Sequence, residues 1–174
     1  MHHHGGTTIR NLSADLKAHA SGTSRRAKLI TTLTSVGFSC MVLFRVQSFL
    51  YSRKLIFLAY QVHRYNLAVH GADFMPGCKV GPGFRVEHPV GIVIGAGVVV
   101  GSNCTIMQGV TLGARESKSS NLENRFPRLG DNIKVGANSS ILGDVYVGSD
   151  STIGAHSLVL KDVEANSTLK GLWN

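Results

Sequence analysis

The sequence predicts a mainly β protein, a parallel β-helix with a short N-terminal α-helical leader, on three positional regularities. First, an aliphatic residue returns every six positions: Val80, Val86, Ile94, Val100, Ile106 and Leu112, then Leu129, Val135, Ile141, Val147, Ile153 and Val159, with glycine following eight of these twelve. Second, the fifth position of the hexad is small or modest in size, holding Val98, Cys104, Val110, Ser139, Val145, Ser151 and Ser157. Third, the fourth position is rich in Gly, Asn and Asp, with Gly83, Gly97, Asn103, Gly109, Asn132, Asn138, Asp144 and Asp150. A period of six is neither the 3.6 of a helix nor the 2 of a strand. It marks a chain that turns a corner every sixth residue, the hexapeptide repeat. Hairpins of a β-sandwich would instead alternate strictly and space their turns more widely.

Each segment then finds its place. Residues 1–6 carry three consecutive His and two Gly and read as a tag-like remnant. Residues 7–70 form the leader. Its uncharged run, residues 29–44 between Lys28 and Arg45, includes five Ser or Thr and is short for a membrane span; a second apolar stretch, residues 55–62, is shorter still. Two or three helices are expected, burying apolar faces on each other, on the β-helix or on a partner subunit. Residues 71–174 form the repeat domain. The first hexad residue points into a narrow three-sided prism, and three hexads make a coil of roughly 18 residues. The fifth position points inward near a corner, where small side chains fit. The fourth sits at the corner, where Gly, Asn and Asp tolerate positive φ. Two places break the register. Ile94 follows Val86 by eight residues, a two-residue insertion at residues 87–93, and Leu129 follows Leu112 by seventeen. The intervening residues 114–128 (ARESKSSNLENRFPR) are polar and predict an excursion loop, the kind of segment that carries function on a rigid solenoid.

Charge is unevenly placed. Residues 1–70 hold nine Lys or Arg and a single acid, Asp15, whereas residues 71–174 hold nine of each sign. A solvated basic helix face is the simplest reading of the leader, with association to an anionic membrane surface as the minority one. The repeats carry no nucleic-acid-reading motif or aromatic platform, so no nucleic-acid partner is expected. Three scattered cysteines, Cys40, Cys78 and Cys104, suit neither a metal site nor a disulfide framework, and the expected setting is reducing and cytoplasmic.

Reactive side chains are few. After the leader's first helices the histidines are His70, His88 and His156. His156 falls on a fourth hexad position and reads as a turn residue. His70 lies at the junction with no motif around it. His88 sits inside the insertion, in Glu87-His88-Pro89-Val90-Gly91, where Pro89 stiffens the backbone and Gly91 returns the chain to the prism. Asp73 precedes it by fifteen residues, nearly one coil, so the two can stand on neighbouring levels near one edge. A carboxylate beside an imidazole makes a general base for a hydroxyl.

The stretches Gly71-Ala72-Asp73-Phe74-Met75-Pro76-Gly77, Val80-Gly81-Pro82-Gly83, Glu87-His88-Pro89-Val90-Gly91-Ile92-Val93-Ile94-Gly95, Gln108-Gly109-Val110-Thr111-Leu112-Gly113 and Leu158-Val159-Leu160-Lys161-Asp162-Val163 resemble the serine O-acetyltransferase family. The resemblance implies a left-handed parallel β-helix, an exception to right-handed crossovers. It implies trimers, with a dimer of trimers as the larger arrangement, and acetyl-CoA as co-substrate in grooves between adjacent prisms, with no metal. It further implies that His88 is the general base, that Asp73 orients it, that Glu87 and Arg125 meet the substrate, and that Ala114, Ala137, Ala155 and Lys161 line the coenzyme. The chain departs from the family in four places. Phe126 stands where the family has a His in Arg-His-Pro. Ala114 replaces a Gly. The leader is shorter and offers only Asp15. The ending Gly171-Leu172-Trp173-Asn174 lacks the tail that docks cysteine synthase. The expected activity is direct acetyl transfer to L-serine or a related hydroxy amino acid, the alternative being O- or N-acetylation of a sugar, capsule precursor or antibiotic-like molecule on the same fold. A zinc enzyme on this prism would need three converging imidazoles, and His88 and His156 are expected about four coils apart. A non-catalytic trimeric scaffold would leave His88 dispensable.

Overall fold

The computed structural model describes residues 8–20, 22–115 and 126–173, so the tag-like residues 1–6 and most of the excursion lie outside it. The leader folds as four helices: α1 (Thr8–His19), α2 (Arg25–Thr34), α3 (Val36–Ser52) and α4 (Ile56–His70). Ser24 and Ser35 cap α2 and α3, their hydroxyls accepting from Ala27 N and Phe38 N. Gly71, in the left-handed region at φ 66°, ends α4.

Fifteen short strands follow, every pairing parallel. They are β1 (Asp73–Phe74), β2 (Lys79–Val80), β3 (Arg85–Val86), β4 (Val93–Ile94), β5 (Val99–Val100), β6 (Thr105–Ile106), β7 (Thr111–Gly113), β8 (Arg128–Leu129), β9 (Lys134–Val135), β10 (Ser140–Leu142), β11 (Tyr146–Val147), β12 (Thr152–Ile153), β13 (Leu158–Val159), β14 (Thr168–Leu169) and β15 (Leu172–Trp173). They stack as three sheets, one per face of the prism: β1-β4-β7-β10-β13-β15, β2-β5-β8-β11 and β3-β6-β9-β12-β14. This is a left-handed parallel β-helix. Strand partners stand 18 residues apart where the repeat is regular, as in Val93↔Thr111, and 29 apart across the excursion, as in Thr111↔Ser140. The excursion therefore adds chain without adding a coil, and His156 lies three levels above His88, not four.

All twelve first-position aliphatics are buried in one axial stack. The fifth position is also buried, but it is not confined to small residues: Phe84 and Ile133 occupy it and are fully enclosed. Phe84 fits because it lies at the open lower end, where Phe74 meets it edge-on at 6.4 Å and Phe44 of α3 stacks on Phe74 at 5.1 Å. Most fourth positions adopt positive φ as the corner demands, including Asn103, Asn132, Asn138, Asp150 and His156, whereas Gly97 and Asp144 do not.

The leader closes the lower end of the prism. An exposed first coil would leave strand-edge N–H and C=O groups unpaired. Side chains of α1 and α3 take them instead. Gln47 donates to Phe74 O at 2.7 Å. Arg45 donates to Val80 O and Gly81 O, both at 2.6 Å. Phe84 N donates to the Asp15 carboxylate at 3.0 Å and Val86 N to His19 Nε2 at 3.1 Å. Arg45 and Asp15 are themselves paired at 2.8 Å, with side chains 4% and 0% exposed. Asp15 therefore serves the cap of the prism. Gly37 permits the close approach, since a Cβ there would collide with the Val86 carbonyl.

Candidate active site

The corner between β3 and β4 carries His88. Glu87 N is tied to Ile106 O and Gly91 N to Gly71 O, at 3.1 and 2.8 Å, while Gly91 turns at φ 75°. The corner is thus fixed between the end of α4 below and the next coil above. Pro89 is buried within it, and His88 projects as an exposed side chain. His88, Glu87, Pro89 and Val90 line a cavity of about 450 Å³, closed on its other side by Ser35, Val36, Gly37, Val69 and His70. The His88 ring has no hydrogen-bond partner among the described residues, which leaves its nitrogens to a ligand.

The corners above form one vertical ladder. Gly109 N donates to Val90 O at 3.0 Å, Asn138 N to Gln108 O at 2.9 Å and His156 N to Ala137 O at 2.8 Å. The His88 corner, Gln108, Ala137 and Ala155 accordingly lie along the same prism edge on successive levels. Ala155 stands three coils above His88, about 14 Å at the usual strand spacing. The backbone packs tightly here: a Cβ on Gly136 would meet Ala155 N at 2.5 Å. Gln108, one level above the His88 corner, holds a buried Oε1 with no partner among the described residues. Ala114 and Lys161 follow the strands of the first sheet at its opposite edge, and Lys161 already stacks on the Trp173 ring at 4.8 Å. Arg125 lies outside the described residues. Phe126, at the position where the family has a His, lies over Gly95 and Gly97, where a Cβ would strike its ring.

The expected Asp73–His88 pair is not formed. Asp73 Oδ1 accepts instead from His63 Nε2 at 2.8 Å. The reason is packing: α4 crosses β1 and sets His63, 7% exposed, against the outward side of Asp73, while His88 stands around the corner. Glu87 lines the cavity, with one oxygen 2.9 Å from Arg85 Nε.

Sequence reasoning missed His70, the second imidazole of this cavity. Asn66 donates its Nδ2 to Cys40 O at 3.2 Å, so its Oδ1 must accept from His70 Nδ1 at 2.8 Å. His70 Nε2 is then a lone pair facing the Ser39 hydroxyl at 2.8 Å. Burial holds this imidazole below its ordinary value of 6.5, in keeping with the neutral tautomer. The signal existed in the sequence as the spacing His63, Asn66, His70, one face of a helix. Among the described residues no group of three or more His, Cys, Asp or Glu could hold a metal ion.

A hexad-built prism and an unpartnered imidazole at one of its corners fit a hexapeptide-repeat transferase, and residues 126–161 match the family model described as bacterial transferase hexapeptide, six repeats. The chain is 34% identical over 146 residues to a serine acetyltransferase of Helicobacter pylori, covering 84% of each. It is 34% identical over 165 residues to one from Synechococcus elongatus, covering 94% of this chain and 66% of that one. Among solved structures, the Neisseria gonorrhoeae serine acetyltransferase in complex with serine superimposes with a TM-score of 0.82 at 34% identity over 92% of this chain and 65% of that one. The soybean enzyme complexed with serine gives 0.83 at 29% identity, covering 94% and 67%. The chain spans just under two thirds of the cyanobacterial and gonococcal proteins. It belongs to the serine acetyltransferase family.

Proposed function

We propose that the protein transfers acetyl from acetyl-CoA to the hydroxyl of L-serine or a closely related hydroxy amino acid, with His88 as general base. The observation that carries this reading is the unpartnered His88 ring on a cavity at the foot of a corner ladder whose upper rungs are Ala137 and Ala155. His88 takes the hydroxyl proton as the oxygen attacks the thioester carbonyl. The tetrahedral intermediate then collapses, the C–S bond breaks, and the imidazolium returns the proton to the departing coenzyme thiolate. No acyl-enzyme forms. A positioned base of this kind contributes about 10²–10⁴-fold. Ala137 and Ala155 fit the coenzyme, because small side chains on the His88 edge let a pantetheine arm lie close to the backbone. Ala114 and Lys161 are proposed for its more distant parts. Glu87 is proposed to meet the acceptor amine and Arg125 its carboxylate, a match to the Arg fork. Asp73 keeps a second oxygen free of described partners, and we assign it the orientation of His88 on the family resemblance.

A homotrimer supports this chemistry. Above Asp73, the outward residues of the first sheet are Val93, Thr111, Ser140 and Leu158, an uncharged face suited to packing on copies. Light scattering should give a trimer or a multiple of it; a monomer would contradict a coenzyme groove between prisms. The activity itself is tested by thiol release from acetyl-CoA with L-serine against a panel of amino alcohols and sugars. Saturable turnover with L-serine is expected, and turnover confined to the sugars would overturn the acceptor assignment.

A further inference from the structure

Two leader helices are turned inside out. In α2 the buried residue is Thr31, while Leu29, Ile30 and Leu33 face away from the body, Leu33 at 75% exposure. In α4 the buried face is Ala59, His63, Asn66 and His70, while Phe57, Tyr65 and Val69 point outward, Phe57 at 74% exposure. Helices of a soluble body orient the other way. Val36 at the start of α3, Val69 of α4 and Val90 of the His88 corner are also exposed and line one cavity.

The charge around them has one sign. From residue 16 to residue 72 the sequence contains no Asp or Glu, and Asp15 is sealed against Arg45. Arg25, Arg26 and Lys28 crowd the first turn of α2 and are exposed or half-buried. No described helix is long and apolar enough to cross a membrane by itself. Exposed leucines beside exposed cations are instead the pattern of a helix lying in a bilayer interface.

We propose that the outer face of α2 docks on an anionic lipid surface. A second copy of the chain is the poorer occupant. A two-fold contact would press the same unrelieved cations against each other, whereas anionic headgroups neutralise them and the acyl boundary receives Leu29, Ile30 and Leu33. Attraction to the surface is worth roughly fivefold in binding per cation and weakens with salt.

The test is co-sedimentation of the full chain with vesicles of phosphatidylcholine alone and with phosphatidylglycerol added. The protein should bind the phosphatidylglycerol vesicles, and binding should fall with added salt and with each of Arg25→Gln, Arg26→Gln and Lys28→Gln. Leu29→Ser with Leu33→Ser should abolish it, while far-UV circular dichroism and the melting temperature stay close to wild type. Absence of wild-type binding, equal binding to both vesicle types, or a higher oligomer that Leu33→Ser dissolves without any vesicle binding would each overturn the proposal.

Discussion

Two imidazoles share one cavity with opposite assignments, and their surroundings separate them. His88 is exposed and unpartnered, whereas His70 is held between Asn66 and Ser39 and kept below its ordinary pKa by burial. His70 should therefore titrate below 6.5 and show the Nδ1–H tautomer at neutral pH in ¹⁵N-detected spectra. Asn66→Leu should release that tautomer. The three thiols are a second residue-scale case. Burial pushes Cys40 and Cys78 up to about 12 and Cys104 to about 11. The thiolate is the reactive form, so a thiol reagent should leave native protein unlabelled at pH 8 and label all three sites on unfolding. The place of His88, exposed at a corner, was legible from a single insertion in a strict repeat. The hold of His63 on Asp73 was not, because it depends on how a helix lies across a strand, and no local period encodes that.

At the scale of elements, the leader acts as the lower lid of the prism. Arg45→Met leaves Asp15 buried without its partner and removes donors to two strand-edge carbonyls. Losing one member of a buried ion pair costs about 3–5 kcal/mol, and denaturant unfolding should show a loss of that order. His19 adds a pH dependence. Its Nδ1–H donates to Asp15 O at 2.8 Å and its Nε2 accepts from Val86 N, so only the neutral ring satisfies both. Burial places its folded pKa below the unfolded 6.5. The unfolded chain therefore binds the proton more readily, and this contribution to stability is present above pH 6.5 and lost as pH falls below it. His19→Gln should flatten that part of the stability profile measured by urea unfolding. Four helices form where two or three were expected, since the break at Ser35 falls inside the uncharged run of residues 29–44, which hydropathy alone reads as continuous.

For the whole molecule, the six-residue period and the corner residues predicted the coil geometry, because each hexad makes the same local turn and the stacked coils repeat it. The coil count was misjudged because residues 114–128 lengthen the spacing between stacked strands, as in Thr111↔Ser140, without adding a coil. His88, Gln108, Ala137 and Ala155 fall on one edge for the same reason: the loop shifts sequence spacing but not axial register. That alignment underlies the proposed function, which takes His88 as the base at the foot of this edge and Ala137 and Ala155 as the contacts of the thioester's pantetheine arm. The most direct check is the kcat of acetyl transfer from acetyl-CoA to L-serine for wild type and His88→Asn. The account predicts a loss of about 10²–10⁴-fold with the KM for acetyl-CoA nearly unchanged. A variant that turns over at the wild-type rate would contradict it.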